Sequence, residues 1–157
     1  MKMTKPHVAG LYVSQGGVPK HEIINARVGS LGIEGDRQRD LRYHGGPERA
    51  VCLYSHECIE RLRAEGHPIV PGSIGENVVI SGLQWNELIP GVRLRLGDEV
   101  MVEITSYTTP CSNIAASFTD GYFNRIHQKK FPGESRLYAR VLQGGALQPG
   151  AVVTVLS

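Results

Sequence analysis

The sequence predicts a mainly β domain, a closed or partly open β-barrel with a few short helices, and three observations carry that prediction. Apolar residues recur with a period of two over short runs, most clearly in VRLRL and EVMVEITS, the spacing that turns one face of a strand inward. Nineteen glycines and nine prolines fall between these runs and supply many turns. Helical periodicity is confined to a few short segments, and closing the sheet into a barrel would leave no exposed edge strand.

In chain order, strands are expected at Val8 to Val13, Arg27 to Gly29, Ala50 to Tyr54, Asn77 to Ile80, Arg93 to Leu96, Glu99 to Ser106, Tyr138 to Leu142 and Val152 to Leu156. The run AVCLY is apolar throughout, as a strand covered on both faces would be. The strands at Arg93 and Glu99 form a hairpin through Gly97 and Asp98, where the glycine is free to take a positive φ. Ser55 caps a helix reaching Ala64, with Glu57 and Arg61 at ion-pair spacing and Ile59 and Leu62 as its inward stripe. Further helices are expected at Ser112 to Phe118 and Gly121 to Lys130, the second capped by Asp120.

With 157 residues, 41% of them hydrophobic, the chain is long enough to build a core and is expected to form one domain over residues 1–157. Its start has basic residues but no apolar leader, and no run approaches the roughly eighteen apolar residues of a membrane span. Three cysteines, an odd number, read as reduced thiols of a cytoplasmic protein. The formal charge of +2 is mild, and Arg37, Arg39, Arg42 and Arg49 are matched by Glu34, Asp36, Asp40 and Glu48. Without a basic stripe interleaved with aromatics, no nucleic-acid partner is expected.

Chemistry concentrates in TTPCSNIAASF, Thr108 to Phe118. If Thr109 caps a helix whose first position is Pro110, Cys111 falls in the first turn, where backbone amides and the helix dipole favour a thiolate. That form attacks electrophiles and binds soft metals; the competing reading is a buried cysteine acting as a small hydrophobe. Cys52, inside AVCLY, reads as core, and Cys58 as partly buried with no chemistry to assign.

A second segment, GIEGDRQRDLRYHGGPERAVCLY, places polar side chains and Gly45 and Gly46 just before a buried strand. Consecutive glycines can present amides as an anion-binding nest, with His44 and Arg49 as donors beside it. The alternative is a glycine turn with His44 bonded to a carbonyl and the arginines paired to Asp36 and Asp40. A third, PGSIGENVVISGL, puts Glu76 and Asn77 at the mouth of a strand, either orienting a polar ligand edge or serving a turn and a solvated surface. Zinc-ligand spacing, a phosphate loop and a serine-hydrolase elbow are absent from the sequence.

Taken in order, GDRQRDLRYHGGPERAV, PGSIGENVVISGL and RLRLGDEVMVEITSYTTPCSNI resemble the MOSC family, named after the C-terminal part of molybdenum cofactor sulfurases. The likeness runs over nearly the whole chain and implies a barrel-like β fold that binds the molybdenum cofactor (molybdopterin) or carries sulfur for it. It implies that Cys111 is the reactive cysteine, bearing a persulfide or ligating molybdenum, a role suited to a soft thiolate. By the same resemblance His44, Gly45, Gly46 and Arg49 would line the cofactor pocket and Asp40 would buttress that loop. Glu76 and Asn77 would lie near the pterin edge, with Asn113 as a further neighbour.

Larger members carry a pyridoxal-phosphate desulfurase domain, an added N-terminal barrel half or a helical C-terminal extension, none of which the sequence contains. The resemblance therefore implies an external electron donor or an external cysteine desulfurase. Two enzymatic readings follow: reduction of N-hydroxylated small molecules at a Cys111-bound molybdenum, or sulfur carriage on a Cys111 persulfide. A third is a non-catalytic module that stores or chaperones the cofactor.

Overall fold

The computed structural model describes residues 5–37 and 46–156. Eleven strands and one α-helix are found among them: β1 (His7–Val13), β2 (His21–Ile23), β3 (Ala26–Gly29), β4 (Gly32–Ile33), β5 (Val51–Ser55), α1 (His56–Ala64), β6 (Val78–Ser81), β7 (Arg93–Leu96), β8 (Val100–Tyr107), β9 (Leu137–Gln143), β10 (Gly145–Leu147) and β11 (Val153–Val155). Eight form one mixed sheet in the order β11-β7-β8-β9-β5-β6-β1-β2, and β10-β3-β4 form a second. The large sheet does not close as a continuous ladder. An isolated antiparallel bridge between His7 and Val152, with Val8 donating to the Ala151 carbonyl, nevertheless brings β1 beside the β11 end. The fold is the mainly β, partly open form of the expected barrel.

The local reasons are those read from the residues. In β7 and β8 alternate side chains are buried, Leu94 and Leu96 facing in with Val100, Val102 and Ile104, and the two strands pair from Leu96↔Val100 to Arg93↔Glu103. Gly97 in their turn has φ 68, as the hairpin requires. All five residues of β5 are buried, because it lies mid-sheet between β9 and β6. Its pairing with β6 is parallel, which demands a crossover, and α1 supplies it. The Ser55 hydroxyl accepts the Cys58 N–H at 3.1 Å, and Ile59 and Leu62 are fully buried.

Three details differ from expectation. Glu57 does not pair with Arg61: it accepts from the Ser81 hydroxyl and the Gly82 N–H, so it ties α1 to the end of β6. Arg61 instead reaches the Cys58 sulfur at 3.2 Å and Glu134, and Cys58 is fully rather than partly buried. The helix expected over Gly121 to Lys130 is two short 3-10 segments, Thr119–Gly121 and Phe123–Ile126. Asp120 (φ 57) and Gly121 (φ 68) are left-handed and cannot propagate an α-helix.

Candidate functional site

Cys111 and Asn113 open onto a cavity of about 160 Å³ whose other walls come from distant parts of the chain. Lys20 enters from the loop between β1 and β2, Ile74 and Gly75 from the segment before β6, Cys52 from β5, and Arg136 and Tyr138 from the start of β9. Sequence reasoning singled out the first two and missed both cations. Nothing in their local pattern marks Lys20 or Arg136, since each is buried by partners remote in the chain.

Cys111 is half-buried and stands at the N-cap of a 3-10 segment, Ser112–Ser117, not in the first turn of a helix. The expected cap by Thr109 and first helical position for Pro110 are not formed. Residues preceding proline are driven to extended backbone, and the chain remains extended through Cys111 itself (φ −142, ψ 174). A six-residue 3-10 segment offers the sulfur little dipole, so its setting is the cavity and the two cations in its wall.

Lys20 is held by a buried ion pair, Nζ to Asp36 Oδ1 at 2.6 Å, with side-chain exposures of 3% and 5%. Asp36 also accepts from the Ser14 N–H and from Asn77 Nδ2. Asn77 is fully buried and spends its amide on the scaffold: Oδ1 accepts the Cys52 N–H at 2.9 Å while Nδ2 also donates to the Tyr12 carbonyl. It therefore ties β1, β5 and the Lys20–Asp36 pair together behind the cavity wall, a larger task than serving a turn. Arg136, buried at 5% exposure, donates from Nη1 to the Ile74 carbonyl at 2.6 Å, and its Nε has no hydrogen-bond partner among the described residues.

Glu76 is fully buried too, which excludes the solvated alternative, and neither it nor Asn77 lines the cavity. Oε1 accepts the Ile74 N–H, and Oε2 has no partner among the described residues. Burial pushes its carboxyl up to about 7, outweighing the backbone amides of Gly72, Ile74 and Glu76 itself and the charge of Arg136. Cys52 belongs to the core as expected, yet its side chain also faces the cavity, with Sγ 3.8 Å from the Thr108 hydroxyl. Burial raises its thiol and that of Cys58, and raises the Tyr138 phenol, so all three stay protonated at neutral pH.

Gly46 (φ 79) caps the 3-10 turn Pro47–Arg49, and the Arg49 guanidinium lies 5.8 Å from the centre of the Tyr138 ring. The turn thus abuts the cavity through Tyr138. Asp40, His44 and Gly45 lie outside the described residues. Among the described residues no group of three or more His, Cys, Asp or Glu side chains could hold a metal ion, and no helix is long and apolar enough to cross a membrane.

A protein-family model described as MOSC domain matches residues 40–154. The uncharacterized protein YflK of Bacillus subtilis is 34% identical over 126 residues, which are 80% of this chain and 56% of YflK. A protein named Reductase from Gibberella moniliformis is 28% identical over 131 residues, 81% of this chain and 23% of that one. The chain thus spans little more than half of the first relative and about a quarter of the second. Among solved structures, YiiM from Geobacillus stearothermophilus superposes with a TM-score of 0.72 at 23% identity, covering 97% of this chain and 75% of YiiM, a likeness of fold.

Proposed function

The chain belongs to the MOSC domain family, and from that premise we propose that the cavity at Cys111 binds the molybdenum cofactor, with the Cys111 thiolate as a ligand of the metal. The observation that carries this reading is the donor set: one half-buried sulfur and two buried cations, Lys20 and Arg136, in the wall of one cavity. A soft thiolate suits molybdenum, and the Arg136 guanidinium, whose Nε–H has no partner among the described residues, suits a phosphate-bearing anion, Lys20 being matched by Asp36. Asn113 would meet the polar edge of the pterin. When bound, the cofactor supplies the two-electron chemistry that removes oxygen from N-hydroxylated small molecules, drawing on an external electron donor. The chain's own residues bind and orient: Asn77 and Asp36 hold Lys20 in place, and Ile74 holds Arg136. Three free cysteines suit a reducing, cytoplasmic setting.

A second reading has Cys111 take a persulfide sulfur from a cysteine desulfurase and pass it on, and the partial exposure of that residue favours access by such a partner. The third is storage of the cofactor without turnover, with Cys111 as a ligand only. Metal and pterin content separates cofactor binding from sulfur carriage, measured on protein purified without oxygen from a host that makes the cofactor, and turnover of an N-hydroxylated compound by the loaded protein separates reduction from storage. Stoichiometric molybdenum in the wild type, lost in Cys111→Ser and kept in Cys52→Ser, is the expected result. Equal retention by all three would sink thiolate ligation. Molybdenum absent throughout, with cyanide-releasable sulfur on wild type alone, would establish the sulfur carrier instead.

A further inference from the structure

Two buried polar atoms beside the cavity lack hydrogen-bond partners among the described residues, and they belong to oppositely charged groups: Oε2 of Glu76 and Nε of Arg136. Arg136 faces the cavity, whereas Glu76 sits behind the wall with no exposure to water. Both groups are anchored on Ile74, whose N–H meets Glu76 Oε1 and whose carbonyl takes the Arg136 Nη1 hydrogen, so the charge Glu76 carries acts on a guanidinium that lines the same cavity as Cys111. Such a buried pair is matched when the carboxyl is ionised and leaves one positive charge uncompensated when it is protonated.

We propose that Glu76 is a positioning residue that sets, through Arg136, the charge the cavity presents at Cys111, so that the site prefers anionic reactants while Glu76 holds its proton and loses that preference when Glu76 ionises. The proposal rests on Cys111 being the working sulfur of the cavity, not on the group that sulfur carries. Glu76 acts on three other titratable side chains, two on β5 and one on β1. Cys52 and Tyr54 on β5 and Tyr12 on β1 are raised, mainly by burial, and stay neutral. Lys20, which acts on Cys52, is matched by Asp36. Among the described groups around the cavity, Glu76 is the one that burial brings to about 7.

The test compares alkylation of Cys111 by iodoacetate and by iodoacetamide, on full-length protein from a host unable to make the molybdenum cofactor. Modification is read on the Cys111 peptide by mass spectrometry. The same thiolate displaces iodide from both reagents, so their rate ratio cancels the titration of the sulfur and reports the local charge. In wild type the iodoacetate-to-iodoacetamide ratio is expected to fall about fivefold as pH rises from about 5.5 to about 8.5, the order of one unit charge acting across a partly hydrated cavity. Glu76→Gln is expected to keep the high, acid-side ratio across that range. A flat wild-type ratio, or an undiminished step in Glu76→Gln, overturns the proposal, and if the variant does not fold the wild-type titration alone decides. Neither result depends on molybdenum content, so failure here and failure of the cofactor reading are separately visible.

Discussion

Replacing Glu76 by glutamine preserves the shape of a fully buried side chain and the oxygen that receives the Ile74 N–H, but removes its proton equilibrium. Folding moves this carboxyl from its ordinary 4.5 to about 7, chiefly because burial penalises the charge. Between those values the folded protein holds a proton that the unfolded chain has released, so wild-type stability falls as pH rises through the window. At about 1.4 kcal/mol per pH unit, that interval amounts to about 3 kcal/mol. The contribution is fully present below about pH 4.5 and is lost once pH passes about 7. Glutamine has no such loss. The stability of Glu76→Gln relative to wild type is therefore expected to improve by about 3 kcal/mol between mildly acid and mildly alkaline solution, on the order of ten degrees in Tm for a chain of this size. Urea unfolding of both proteins at matched ionic strength across the window measures it. A constant offset reports only the exchange of oxygen for amide; a difference that does not vary with pH refutes the reasoning.

Asn77→Ala is expected to cost about 3 kcal/mol, because it leaves the buried Cys52 N–H without its acceptor and frees the Tyr12 carbonyl and Asp36 from the same amide. An unchanged urea midpoint would contradict the role assigned to that side chain. Gly32→Ala meets both a left-handed backbone (φ 117) and the Ala50 carbonyl oxygen, against which a Cβ would clash, whereas Gly35→Ala meets a positive φ (91) with open space. Thermal unfolding should therefore show Gly32→Ala losing more than about 3 kcal/mol and Gly35→Ala about 1 kcal/mol; equal losses would remove the steric argument.

Much of the fold is legible where local pattern and tertiary environment agree. Alternation in β7 and β8, the apolar run of β5, the Ser55 cap and the Gly97 turn all appear in the sequence and in the structure. The short strands β2, β4 and β10 were not legible: two or three residues carry no period, and they exist because β1 and β3 offer an edge to pair with. The same limit governs the site. Cys111 and Asn113 stand out locally and do face the cavity, while Glu76 and Asn77 stand out yet lie behind its wall.

By itself, then, the sequence determined the β class, the main strands and the segment bearing the half-buried sulfur, because each depends on neighbours within a few residues. Only the tertiary structure decided that Lys20 and Arg136 flank that sulfur, that Cys52 shares its cavity, and that Glu76 is sealed from water. Burial and charge pairing arise from contacts such as Lys20 with Asp36 and Arg136 with Ile74, 16 and 62 positions apart. No periodicity in the chain encodes a desolvation energy that exists only once those segments meet.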